Sequence, residues 1–71
     1  MGRKEVEEKI IQLAHIFSEK FGEEVLQLRE DELIAYITPQ LSLNDLDIFR
    51  HYKYQMLYLF LKTVKEDLSK S

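Results

Sequence analysis

The ten residues from Tyr52 to Leu61, YKYQMLYLFL, constrain the fold of this chain more than any other stretch. Only Lys53 and Gln55 among them are strongly polar. They lie inside a segment, Leu43 to Leu68, without glycine or proline, so the spacing predicts one long helix over 43–68. A helix packed against a single layer needs one apolar stripe. At about 100° per residue, Phe49, Tyr52, Met56, Phe60 and Thr63 share one side, with Leu46, Leu57 and Val64 beside them. Tyr54, Tyr58, Leu61 and Leu68 continue round to a second side. A polar strip remains only along Asn44, His51, Gln55 and Lys62.

That surplus of apolar surface matters because the chain is short. Seventy-one residues make one domain, residues 1–71, with a thin margin of buried surface over conformational entropy. Domains of this size commonly add disulfides, a metal or a second subunit. The chain has no cysteine, which removes disulfides and thiolate metal sites. Its two histidines do not make a structural zinc site by themselves. A second subunit is the remaining device, and it suits the over-apolar helix. No metal and no cofactor is expected.

The hydrophobic fraction of 45% and charged fraction of 32% are those of a folded domain rather than a disordered chain. A net charge of -3 supplies no electrostatic footprint for DNA or anionic lipid. The opening MGRKEVEEK leads into an amphipathic pattern, not an apolar signal-peptide core. The myristoylation pattern wants Ser or Thr at the sixth position, where Val6 stands. The longest apolar run, Met56 to Leu61, is far too short to span a bilayer. A cytoplasmic location with no membrane partner is the expectation, and the missing cysteines are compatible with it.

Residues 4–21 read as a first helix. Val6, Ile10, Leu13, Phe17 and Phe21 follow one helical face with Ala14 alongside, and Gly22 follows as the stop. Residues 24–38 read better as strands. Leu26 and Leu28 share one face of a first strand; Leu33, Ala35 and Ile37 share one face of a second. A turn at Glu30-Asp31 would pair the two sets, although it lacks the glycine that tight hairpins prefer. A second helix is the alternative. Pro39 closes the segment. Ser42 or Asn44 then caps the long helix, with Asp45 or Asp47 three residues on.

The fold expected is therefore α+β: a helix at 4–21, a β-hairpin at 24–38 and a long C-terminal helix at 43–68, an αββα domain that dimerises. The alternative is an all-α three-helix bundle.

Few residues suggest chemistry. His51 follows Asp47 by one helical turn, a spacing that can share a metal or orient a general base. Without a third ligand or a nucleophile nearby, a solvated pair is the simpler reading. His15 falls on a polar side with Glu8, Gln12 and Glu19, and a catalytic role would require it to converge with His51. The run Asn44 to Asp47 lacks the glycine and distal glutamate of a calcium loop, and Glu30-Asp31-Glu32 reads as a solvated turn. There is no glycine-rich phosphate loop and no paired-carboxylate or Ser/His/Asp signature. Catalytic, cofactor and metal residues are all expected to be absent.

The reading that follows is a small non-enzymatic interaction or regulatory protein whose first partner is itself, with another protein as a further partner. Its candidate dimer or partner interface is Tyr54, Leu57, Tyr58 and Leu61. The runner-up is a nucleic-acid-binding module with a basic surface assembled in the dimer. An enzyme with a shallow inter-subunit site around His51 comes third. The target and pathway are not legible in the residues.

Overall fold

In the computed structural model, which describes residues 2–70, the chain is 88% helical and no strand occurs among the described residues. Helix α1 covers Arg3–Phe21. It buries Val6, Ile10, Ala14 and Ser18, each four residues after the last, while Leu13, Phe17 and Phe21 flank that stripe half-buried. Gly22 ends the helix at φ 59° and ψ -138°, and its amide donates to the Ser18 carbonyl at 3.0 Å.

The β-hairpin expected over 24–38 is not formed. Helix α2 covers Glu24–Gln27, helix α3 covers Glu30–Ile37, and a 3-10 turn follows at Thr38–Gln40. The physical reason lies in how α3 is surrounded. Leu33 and Ile37 are one turn apart and both buried, at 3% and 0% exposure. Tyr36 points to another neighbour, with its ring 5.3 Å from that of Phe17 and 5.6 Å from that of Phe21. Leu33, Tyr36 and Ile37, at i, i+3 and i+4, form one helical face that the core and the rings of α1 cover together, so the segment packs as a helix. The acidic run read as a hairpin tip is the first turn of α3, where the helix dipole favours carboxylates. Glu32 reaches back to accept from the Arg29 amide at 3.0 Å, the N3 half of a capping box. Pro39 stands in the first turn of the 3-10 segment, where a missing amide proton costs nothing.

The helix expected over 43–68 is two helices, α4 at Leu43–His51 and α5 at Lys53–Lys70. Ser42 is the cap, its Oγ accepting from the Asp45 amide at 3.2 Å. The chain bends at Tyr52, with φ -111° and ψ 32°, without a proline or glycine. Hydrogen bonds continue on either side, from the Tyr52 amide to the Ile48 carbonyl at 3.1 Å and from the Met56 amide to the Tyr52 carbonyl at 2.9 Å. A straight helix over this length would run about 42 Å at 1.5 Å per residue, well past the roughly 28 Å of α1. The overhang would have nothing to pack on. Bending returns Phe49 to the core, where it is 1% exposed.

Three contacts set the helix arrangement. The Arg3 guanidinium sits 4.9 Å above the Tyr52 ring at one end, and Ser18 reaches Asp67 at the other, so α1 and α5 run parallel. Lys9 meets Asp45 at 2.9 Å, which joins the start of α4 to α1. The segments between α1 and α5 carry the chain back to the start. Phe60, fully buried, sits near the middle with its ring 5.7 Å from that of Phe17. No helix among the described residues is long and apolar enough to cross a membrane.

Candidate functional site

The parallel pairing of α1 and α5 assembles one polar cluster that no local spacing announces. His15 Nδ1 lies 2.5 Å from Asp67 Oδ2, and the Ser18 hydroxyl lies 2.8 Å from the same oxygen and 2.9 Å from the His15 carbonyl. These residues line a shallow groove with Glu19, Leu68 and Lys70. The residue types are those of a nucleophilic triad, but the order is wrong. A triad needs the imidazole between hydroxyl and carboxylate, so that it takes the hydroxyl proton. Here the carboxylate is in the middle, Ser18 donates to it, and Ser18 is only 7% exposed. The arrangement fastens the last turns of α5 to α1 and does not activate a nucleophile.

The clasp has an electrostatic signature. The hydrogen bond from His15, then that from Ser18, holds the Asp67 carboxyl below its ordinary value of 3.8, against a smaller opposing effect of burial. A carboxyl lowered in the folded state contributes stability that is complete above its unfolded pKa and lost as pH falls through the folded one. Asp67→Asn is therefore expected to be less stable than wild type at pH 7. The gap should narrow in acid below the ordinary carboxyl value, as the wild-type carboxylate takes up its proton. Urea midpoints of both proteins at pH 7 and in acid check this; a gap independent of pH would mean that the carboxylate is not held.

Asp45 is set in a comparable way. Its backbone amide is capped by Ser42 while its carboxylate meets Lys9, whose hydrogen bond is the largest cause of a lowered pKa. The pair joins the start of α4 to α1. This accounts for the carboxylate nearest the cap in the Asn44 to Asp47 run without a bound ion.

His51 and Asp47 do not pair: among the described residues no hydrogen bond or ion pair joins them. The His51 ring instead packs edge-on against Tyr52 at 4.7 Å. His51 lies at the Arg3 end of the α1–α5 pair and His15 at the Asp67 end, so the two histidines do not converge. No group of three or more His, Asp or Glu side chains among the described residues is placed to hold a metal ion.

The four interface candidates divide. Leu57 is 5% exposed and belongs to the core, so it is not available to a partner. Leu61 is half-buried against that core. Tyr54 and Tyr58 face outward one turn apart, 71% and 69% exposed. Lys53 lies 4.9 Å over the Tyr54 ring, with its ammonium 3.9 Å from Glu30 of α3. Tyr58 and Leu61 line a groove with Lys62, Lys65, Glu66 and Ser69. Leu57 is thus apolar but inward, while exposed Lys65 continues the outward line of Tyr54, Tyr58 and Leu61. The spacing of Tyr54, Tyr58, Leu61 and Lys65, in steps of four, three and four, was the signal that marks the outer stripe. In comparisons with known proteins, no family model, no curated protein and no solved structure matches this chain.

Proposed function

We propose that this chain is a small non-enzymatic interaction protein of regulatory type that pairs with a second copy of itself through the outer face of α5. The carrying observation is the exposure of two tyrosines, Tyr54 at 71% and Tyr58 at 69%, on adjacent turns beside half-buried Leu61. Tyrosine supplies a large apolar ring with a polar tip, the combination enriched at protein interfaces. The burial of Leu57 makes this patch narrower than the residue pattern alone suggests. The self-association proposed is accordingly of the weak, concentration-dependent kind that small interfaces support. Nucleic acid is a poorer fit to the same face, because Glu66 interrupts its cations and the chain carries a net charge of -3.

Light scattering across the accessible concentration range tests the reading. The wild type is expected to shift from monomer to dimer mass as concentration rises. Tyr58→Glu should stay monomeric with an unchanged far-UV circular dichroism spectrum, since the side chain carries no core contact. A monomer mass for the wild type throughout the range would overturn the proposal.

A further inference from the structure

Resting on that reading, we infer the register of the pair: two α5 helices meet antiparallel, with Tyr54 of each lying against Lys65 of the partner subunit. Tyr54, Tyr58, Leu61 and Lys65 recur in steps of four, three and four, which keeps them in one line along a helix. This is the spacing by which helices form a shared seam. The line is chemically lopsided, aromatic at its start and cationic at its end.

The lopsidedness selects the direction. In a parallel pair each residue would meet its own copy, so that Lys65 would oppose Lys65 of the partner subunit. Like charges brought face to face disfavour that arrangement. In an antiparallel pair, with the two-fold axis passing between Tyr58 and Leu61, Tyr58 meets the partner's Leu61. Tyr54 meets the partner's Lys65. The first contact is a ring on an aliphatic side chain. The second puts an ammonium over a ring face, an attraction that strengthens as water is excluded. The stripe is thus complementary to itself in one direction only, and a closed two-fold contact uses every member of it twice.

Two structural facts support the placement of Lys65. It is exposed, and among the described residues it has no ion pair to give up. Tyr54 already attracts one cation, with Lys53 of its own chain 4.9 Å from its ring centroid. The ring has a second face for another. Within a single chain Tyr54 and Lys65 are about three turns apart, or roughly 16 Å, so neither influences the other directly.

A charge-exchange experiment tests the register. Tyr54→Lys would set the introduced lysine against the partner's Lys65. Lys65→Glu would set the introduced glutamate against the partner's Tyr54. Each single variant is expected to weaken dimerisation about tenfold in sedimentation equilibrium, because the lost contact occurs twice. The double variant Tyr54→Lys, Lys65→Glu places opposite charges across the contact and should regain wild-type association. Both positions are exposed, and circular dichroism of each variant verifies the fold. A dimeric wild type whose double variant associates no better than the singles would overturn the register while leaving the dimer standing. A monomeric wild type would overturn both.

Discussion

Phe60→Ala is expected to remove a large share of the folding stability and to lower the melting temperature sharply. Phe60 has no exposed surface, and its ring meets that of Phe17 at 5.7 Å. Phe17 in turn touches the rings of Phe21 and Tyr36, so one truncation undermines a four-ring cluster that ties α1, α3 and α5 together. Truncating a buried phenylalanine to alanine costs about 3–5 kcal/mol, the lost transfer energy plus the cavity left behind. A domain of this length has a total stability of roughly 4–11 kcal/mol at the usual value per residue. The substitution therefore removes much or all of the margin. Thermal melts should show a fall of at least about 12 °C, given several degrees per kcal/mol for domains of this size. Tyr58→Ala is the control: it truncates a comparable ring at an exposed position and should melt within a few degrees of wild type. If the two variants melted alike, Phe60 would not be at the centre of the core.

Gly22→Ala is expected to destabilise the protein by about 1–3 kcal/mol, the cost of forcing an ordinary residue into a backbone region that only glycine occupies freely. A Cβ built on Gly22 meets nothing within 4 Å, so no clash contributes. The whole effect comes from the backbone, at φ 59° and ψ -138°. The sign is diagnostic. At a position with ordinary dihedrals the same change stabilises by about 0.4–1 kcal/mol, because alanine narrows the unfolded ensemble. Urea unfolding of the variant decides between the two, and an unchanged or raised midpoint would mean that the turn between α1 and α2 does not hold this conformation. The loss is structural in origin, since Gly22 sets the angle at which the chain leaves α1 and brings Val25 into the core.

Helix α1 and its stop at Gly22 were legible in the residues, and Ser42 was one of two caps they allowed, because each is decided locally. A one-sided stripe at helical spacing, a glycine after it and a hydroxyl three residues before an acid act through neighbours in sequence. The helical character of 43–68 was legible for the same reason, although its break at Tyr52 was not. The outer stripe of α5, from Tyr54 to Lys65, was also present in the spacing.

Tertiary structure decided the rest. Segment 24–38 sorts better at a period of two, but a stretch this short takes whichever form its neighbours can cover. Here α1 offers aromatic rings to Tyr36 while the core takes Leu33 and Ile37, so two short helices form instead of a hairpin. The bend at Tyr52 has no proline or glycine to cause it, and it goes with the burial of Phe49 in the core. The clasp of His15, Ser18 and Asp67 joins residues 49 and 52 positions apart, and depends on α1 and α5 running parallel. The same packing divides the apolar residues of α5, drawing Leu57 into the core and leaving Tyr54 and Tyr58 outside. Periodicity along the chain reports how many faces of a helix are apolar; which of them is covered depends on the neighbours, and those are placed by contacts between residues far apart in sequence.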